Sequence, residues 1–217
     1  MEFTLSKNKF FKKGTLETYS LILVVLALVV VLSITTRTFL TRSNLLNVLR
    51  QISINGILAI GMTFVVLTGG IDLSVGSIVA FCGIVSAGLI RDAKLPVVPV
   101  IVISLFIGIV MGMFNGYFVA FWNAAPFVVT LSLMTIARGM TFVYCNGKPI
   151  SPLTAEFLNI GRGDILGVPI PAFILFLVFI IGFMVLKYFS IGRYIYAVGG
   201  NENSAMVSGI NVRLVKL

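Results

Sequence analysis

The sequence predicts an all-α polytopic membrane protein with about six transmembrane helices. Apolar residues make up 59% of the 217 residues, and charged residues make up only 11%. The mean hydropathy is +1.11, and long apolar stretches recur along the chain. A soluble domain has about 25% charged residues and under about 50% apolar ones. The chain is therefore predicted to cross a membrane several times.

The first apolar stretch covers residues 19–36 and follows four lysines, Lys7, Lys9, Lys12 and Lys13. A stretch of about 20 apolar residues spans a bilayer as a helix. A signal peptide has a shorter apolar core and a cleavage site of small residues. We therefore interpret residues 19–36 as an uncleaved first span.

Five further apolar segments are predicted to span, at residues 44–67, 73–90, 97–122, 126–144 and 168–189. The longest connection, residues 145–167, is rich in Gly, Pro and Asn, which predicts irregular backbone with one short helix. Within it, Arg162-Gly163-Asp164 matches a cell-adhesion tripeptide, but three-residue matches arise by chance and this one carries no weight.

The ends of the chain are predicted to be cytoplasmic. Six spans place both ends on one side of the membrane, and both ends are basic, as the positive-inside rule requires of the cytoplasmic side. The basic residues near the second end are Lys187, Arg193, Arg213 and Lys216. The rule is not followed throughout, since seven basic residues then fall near the outer face: Arg37, Arg42, Arg50, Arg91, Lys94, Lys148 and Arg162.

Composition argues against several functions. The net charge of +9 suits basic flanks facing anionic lipid better than a nucleic-acid partner. Without histidine or clustered ligands, we expect no metal site, no cofactor and no disulfide between Cys82 and Cys145. No P-loop pattern occurs, and no catalytic residue is predicted. The chain is therefore not predicted to be an enzyme, and any transport would draw on an external energy source.

The segment at residues 199–210 is polar, bracketed by glycines, and carries the marks of a short capped helix. Asn201 is predicted to cap its start, with Glu202 in the first turn. Gly209 is predicted to end it in the left-handed conformation. Met206 and Val207 would then project as apolar side chains from a polar helix. The segment suits either docking onto another protein or an amphipathic turn lying on lipid.

Polar residues inside spans are costly and tend to be functional. The candidates are Asn55, Thr63, Asp72, Ser74, Asn115, Asn123, Thr130 and Arg138. Hydrogen bonding between helices is the first interpretation for most of them, and lining a pathway for a hydrated polyol is the second. Asp72 is predicted to cap the third span by accepting the N–H of residue 74 or 75. Arg138 is predicted to clamp neighbouring helices.

Glycines mark two of the spans. Gly108, Gly112 and Gly116 are four residues apart, which predicts one helix face cleared for close packing. The second span and its end contain a second set of glycines, namely Gly56, Gly61, Gly69 and Gly70. Such glycines suit backbone that packs against protein or a water-filled cavity.

Several motifs together resemble the permease subunits of ribose-type ABC importers. Residues 68–77 (TGGIDLSVGS) are similar to the best-known signature of that family, and residues 191–210 resemble its cytoplasmic coupling loop. The pattern also continues through residues 125–131 (APFVVTL), 136–139 (IARG) and 146–150 (NGKPI).

The resemblance implies a fold of the vitamin B12 importer type, with about ten spans per subunit. It implies a bacterial inner-membrane location and four partners: an ATPase subunit, a periplasmic sugar-binding protein, a second permease subunit and lipid. Residues 1–217 would form one transmembrane permease domain, with the coupling loop at residues 190–217. The ATPase-coupling residues would be Gly199, Gly200, Asn201, Glu202, Ala205, Met206, Val207, Ser208 and Gly209.

Family members continue into four more spans, so residues 1–217 are expected to insert in the membrane without importing sugar by themselves. Ribose is the first expected substrate, ahead of other pentoses, galactose-type hexoses and autoinducer-2. Two alternatives remain open, a truncated non-transporting membrane remnant and an ATP-independent secondary transporter or channel.

Overall fold

The computed structural model describes the backbone of residues 13–217 and the side chains of residues 19–217. Lys7, Lys9 and Lys12, on which part of the predicted orientation depends, lie outside the described residues. Helices dominate the described chain, and they confirm the predicted all-α class.

The described part contains ten helices and two very short strands. In chain order they are α1 (Lys13–Thr35), α2 (Arg42–Leu67), α3 (Val75–Arg91), α4 (Val97–Phe121), α5 (Pro126–Cys145), α6 (Ala155–Arg162), β1 (Asp164–Ile165), β2 (Val168–Pro169), α7 (Ile170–Tyr188), α8 (Ser190–Gly200), α9 (Glu202–Val207) and α10 (Val212–Lys216).

Six of these helices correspond to the six predicted spans. By length and composition, α2, α4, α5 and α7 are long and apolar enough to cross a membrane. Two others are shorter apolar helices, namely α3 and the Tyr19–Thr35 part of α1. Most large apolar side chains on α4 and α7 are exposed, as helices facing lipid require.

Three predicted span starts differ by two residues from the observed helices, the first being that of α2, which begins at Arg42 rather than residue 44. The third span begins at Val75 rather than residue 73, because Asp72 binds the backbone of Ser74 in a turn before the helix. The sixth begins at Ile170 rather than residue 168, because Val168 and Pro169 pair with β1 as strand β2.

The chain divides between Val48 and Leu49 into two units. In the first unit, a turn follows α1, and the side chain of Asn44 donates to the carbonyl of Phe39 over 2.8 Å. That bond fixes the turn against the first residues of α2.

The core of the second unit lies among α3, α4 and α5. Met111, Leu133 and Ala137 are buried together there. The hydroxyls of Ser86 and Ser104 join α3 to α4 over 2.5 Å. Packing and interhelical hydrogen bonds of this kind are the forces that associate helices where lipid surrounds them.

The long connection carries α6 and the β1–β2 hairpin, so its predicted short helix is present together with a hairpin that was not predicted. Asp164 accepts a 2.8 Å ion-paired hydrogen bond from Arg50 of α2, whose guanidinium also donates to the carbonyl of Arg162 over 3.1 Å. Asp164, which belongs to the tripeptide noted in the sequence, thus ties the connection to α2.

The three glycines of α4 do not share one packing partner, so the predicted single face is wrong. An added Cβ on Gly116 would lie 2.7 Å from the carbonyl oxygen of Leu217, and one on Gly108 would lie 3.9 Å from Cys82. Gly112 has open space beside it because it borders a cavity. The three regularly spaced glycines therefore lie in three different surroundings.

Candidate functional site

The chain turns sharply where α7 meets α8. Gly192 is buried at this turn, and an added Cβ would collide with the carbonyl oxygens of Val185 and Leu186. Glycine is therefore required for α8 to leave α7 at this angle. The turn begins a segment of three short helices, α8 to α10, which we term the C-terminal segment (residues 190–217).

Helix α9 has the caps that the sequence predicts. The side-chain oxygen of Asn201 accepts from the N–H of Ser204 over 2.8 Å. Gly209 has a φ of 84°. The N–H groups of Ile210 and Gly209 donate to the carbonyls of Ala205 (3.1 Å) and Met206 (3.0 Å), which is the bonding pattern of a Schellman motif. Both predicted helix ends are confirmed.

The C-terminal segment has an apolar core of its own. Val198, Ala205 and Val212, one from each of its helices, are buried together. The ammonium of Lys216 and the carboxylate of Glu202 form an ion pair at 2.5 Å that links α10 to α9. These contacts hold the three short helices in one arrangement, although none of them is long enough to be stable alone.

The face of α9 opposite this core is unpartnered in the described structure. Ala205 is 3% exposed, whereas Met206 is 58% and Val207 is 90% exposed. Ser208, at the end of the helix, donates its hydroxyl to the carbonyl of Ser204 over 2.8 Å. The helix therefore presents two neighbouring apolar side chains in an otherwise polar setting.

The two glycines at the end of α8 have different surroundings. An added Cβ on Gly199 would collide with the carbonyl oxygen of Leu67, the last residue of α2. Gly200 is exposed, and an added Cβ there would have nothing within 4 Å. Only Gly199 is therefore required for close packing.

Three of the polar candidates form one hydrogen-bonded chain. The carboxylate of Asp72 accepts from the backbone N–H of Ser74 over 2.7 Å and from its hydroxyl over 2.6 Å. The carboxamide of Asn115 on α4 donates to the same hydroxyl over 2.9 Å. The predicted bond between Asp72 and the N–H of residue 74 is confirmed, but the predicted capping role is wrong, because Ser74 occupies the cap position of α3 and Asp72 lies two residues before it.

This chain borders a cavity of about 380 Å³. Thr130, a fourth candidate, also borders it and donates to the carbonyl of Pro126 over 2.8 Å. Asn115 is only 5% exposed, and its carboxamide oxygen has no hydrogen-bond partner among the described residues. The cavity thus combines an apolar wall with a few fixed polar groups, as small-molecule sites do.

The other four candidates lie apart from the cavity. Asn55, Thr63 and Asn123 are exposed, and the hydroxyl of Thr63 donates back to the carbonyl of Ala59 over 2.8 Å. Arg138 is exposed on α5, and within residues 19–217 no hydrogen bond or ion pair reaches its guanidinium. The interhelical clamp expected of Arg138 is not formed within the described chain.

Sequence analysis missed how much of the cavity the C-terminal segment supplies. Ile195 of α8, Val215 and Lys216 of α10, and Leu217 all border it. For the three of these residues that follow Gly209, the only sequence signal is the alternation of apolar and basic residues there. Over the same described residues, no group of three or more metal-ligating side chains is brought together.

The apolar helices and the hydrogen bonds that join them define a multi-pass membrane protein. A family described as the branched-chain amino acid transport system / permease component matches residues 44–217. The chain belongs to that family.

Curated relatives include three ribose import permease proteins. The chain is 43% identical to the Haemophilus influenzae protein over 194 residues and 45% identical to the Bacillus subtilis protein over 192 residues. Each match covers 88% of the chain's own length. It is 38% identical over 218 residues to that of Escherichia coli strain K12, over 99% of its own length.

The chain spans 60% of the first of these relatives, 59% of the second and 68% of the third. No solved structure matches the chain. The implied fold of the vitamin B12 importer type therefore stays an expectation, whereas the helical membrane architecture and the family are established.

Proposed function

We propose that this chain is an inner-membrane permease subunit of an ATP-driven ABC importer for ribose or a similar monosaccharide. The family and the names of the three relatives support the class and the substrate. In this proposal residues 1–217 form one transmembrane domain. The C-terminal segment is its cytoplasmic coupling loop.

The exposed apolar pair on α9 is the observation that carries the proposal. Met206 and Val207 stand on a helix that is capped at both ends and backed by the buried Ala205. Interfaces concentrate Met and aromatic residues at their centre and exclude charge from it. An ATPase subunit with an apolar groove would bury both side chains without reshaping the helix.

The other coupling residues would act around this pair. Asn201, Ser208 and Gly209 fix the two ends of α9, and Glu202 links it to α10 through Lys216. Gly199 and Gly200 join α9 to α8. The residues that cap or brace α9 thus hold the docking surface in shape rather than supply its contact area, whereas Gly199 and Gly200 only connect that surface to α8.

The cavity would form part of the sugar pathway. Asp72, Asn115 and Thr130 place carboxylate, carboxamide and hydroxyl groups along one side of it, and the buried hydroxyl of Ser74 bonds to both Asp72 and Asn115. Such groups suit a hydroxylated ligand. Asn55, Thr63, Asn123 and Arg138 would contribute where other subunits meet this chain.

Partners follow from the same proposal. They are the ATPase subunit, a periplasmic sugar-binding protein, a second copy of the permease and the lipid bilayer. Lys187, Arg193, Arg213 and Lys216 lie near the C-terminal segment, and their charge favours a cytoplasmic location for it. Both ends of the chain would then be cytoplasmic.

Co-purification tests the docking surface. The chain is expressed with its ATPase, and the ATPase captured per permease is measured for the unchanged chain and for Met206→Asp/Val207→Asp. A buried charge without a partner is costly, so the double variant is expected to lose capture while still inserting in the membrane.

Asn203→Asp is the control for added charge, because it places one negative charge at an exposed position of the same helix, where the double variant places two. It is expected to retain capture. Equal capture by all three chains would contradict the docking surface. Sugar uptake that continues without any ATPase would instead favour a secondary transporter or channel, and failure of every chain to capture an ATPase would favour a non-transporting remnant.

A further inference from the structure

The end of α2 and the end of α8 meet through their backbones. The carbonyl of Leu67 belongs to the last turn of α2, and Gly199 lies so close to it that an added Cβ would collide with the oxygen. A backbone oxygen cannot rotate away as a flexible side chain does. A displacement of α8 along this contact is therefore transmitted to the end of α2.

The end of α2 is itself firmly held. The N–H groups of Gly69 and Gly70 donate to the carbonyls of Val66 (2.9 Å) and Val65 (3.0 Å), and Gly69 has a φ of 78°. These bonds make the first residues after α2 a rigid extension of the helix. Movement of Leu67 is thus passed into the connection that leads to α3.

That connection ends in the polar chain beside the cavity. Within five residues of Leu67 it reaches Asp72, which binds the backbone and hydroxyl of Ser74. Ser74 is in turn bound by Asn115 of α4. A continuous set of backbone contacts and hydrogen bonds therefore runs from α8 to the cavity.

A second contact leads from the same segment to the cavity. An added Cβ on Gly116 of α4 would lie 2.7 Å from the carbonyl oxygen of Leu217, and Ile195 and Val215 border the cavity directly. The C-terminal segment therefore touches the cavity wall at α4 as well as at the end of α2.

We propose that Gly199 is a positioning residue, which transmits movement of the C-terminal segment through Leu67 to the cavity-lining connection at residues 68–74. The proposal rests on the proposed function, since the movement would come from the docked ATPase. Gly199 would not contact the ATPase or the sugar. It would couple the ATPase to the sugar pathway, because it permits a backbone contact between α8 and α2 that any larger residue prevents.

Gly199→Ala and Gly200→Ala form a matched pair of variants. Both add one methyl group to neighbouring residues of α8, but only the first meets an obstacle. Neither residue bears the exposed apolar pair, so ATPase capture is expected to be unchanged in both. A loss of capture in Gly199→Ala alone would show that this glycine shapes the docking surface, which would overturn the proposal.

Distances between spin labels give the decisive readout in the assembled complex. Cys82 and Cys145 are replaced by serine, and labels are attached at Ile71→Cys and Val143→Cys, both exposed positions, on the cavity-lining connection and on α5. A nonhydrolysable ATP analogue is added after the ATPase has bound. We expect the distance between the labels to change in the Gly200→Ala chain, and the shifted population to fall about 2- to 30-fold in Gly199→Ala.

A second pair of labels covers the case in which Gly199→Ala folds poorly. In the chain with both glycines intact, labels at Ile71→Cys and Leu214→Cys report whether the connection and the C-terminal segment move together. An unchanged Ile71–Leu214 distance with a changed Ile71–Val143 distance supports the proposal.

A changed Ile71–Leu214 distance with an unchanged Ile71–Val143 distance would overturn the proposal, because the segment would then move while the connection stays with α5. No change in either distance would also overturn it. Equal responses of Gly199→Ala and Gly200→Ala would overturn it too. If the unchanged chain captures no ATPase, the proposed function itself fails, and this inference fails with it.

Discussion

The carboxamide of Asn115 donates to the hydroxyl of Ser74 over 2.9 Å and so joins the middle of the chain to the start of α3. The same hydroxyl donates to Asp72, which also holds the backbone N–H of Ser74. Ser74 is fully buried. The geometry of the cavity therefore depends on one small hydroxyl with two different partners.

Replacing Asp72 by alanine is expected to destabilise the protein by about 1–3 kcal/mol, because it leaves the buried N–H and hydroxyl of Ser74 without their acceptor. The free energy of unfolding in mixed detergent, measured as the denaturing detergent is raised, gives the value. A change within experimental error would show that the turn before α3 is held by other contacts.

Replacing Asn115 by leucine is the instructive comparison. It removes one interhelical hydrogen bond, and such bonds contribute about 0.6 kcal/mol on average in a membrane protein. It also removes a carboxamide oxygen that has no partner among the described residues. The loss is therefore expected to be smaller than for Asp72→Ala, and a larger loss would contradict this account of the network.

Replacing Asn201 by alanine is expected to weaken α9 by about 1 kcal/mol, since the N–H of Ser204 loses its acceptor. Amide hydrogen exchange in residues 202–207 should then quicken about fivefold, while α4 and α5 remain unaffected. Asn203→Ala serves as the control because Asn203 is on the same helix and does not cap it. Equal exchange in both variants would rule out the cap as the source of stability.

The ion pair between Arg50 and Asp164 is expected to have a coupling energy of only about 0.2–1 kcal/mol, because both side chains are partly exposed. A double-mutant cycle with Arg50→Ala and Asp164→Ala measures that coupling. Arg50→Ala should cost more than Asp164→Ala, since Arg50 also donates to the carbonyl of Arg162. Identical single-variant costs would contradict the second bond.

The orientation of the chain is testable with a reporter that is active only in the periplasm. Fused after Asn159 on α6, it is expected to be active, and fused after Glu202 on α9, it is expected to be silent. The ion pair of Arg50 and Asp164 places that part of α2 and the α6 connection on the same side. The reverse pattern of activity would place the C-terminal segment outside and exclude the proposed docking.

The features predicted correctly are local ones. Asn201 precedes its helix by one residue, Gly209 follows it by two, and Asp72 lies two residues before its partner. Bonds of such short reach depend on residue type and spacing, which the sequence displays directly. The six spans were likewise visible as apolar runs. The starts of the third and sixth were misplaced where Asp72 and Pro169 hold a turn and a strand, and the start of the second was misplaced by two residues.

The features missed depend on contacts between distant parts of the chain. Nothing in the sequence pairs Gly199 with Leu67 or brings Ser74 to Asn115, because each contact requires the folded arrangement of several helices. The single packing face expected of Gly108, Gly112 and Gly116 failed for the same reason, since the neighbours of a helix cannot be read from its own spacing. Arg138 was expected to find a partner, but its surroundings on α5 supply none within the described residues.

The buried cluster of Val198, Ala205 and Val212 affects how the C-terminal segment would meet another protein. Because these residues already fix α8, α9 and α10 against one another, association would not include a folding step, and it would avoid the entropic cost of ordering the segment. The heat-capacity change of binding should then reflect mainly the apolar area of Met206 and Val207 and the surface that receives them. Docking would resemble the meeting of two preformed surfaces, with a rate set by diffusion and orientation rather than by ordering of the chain.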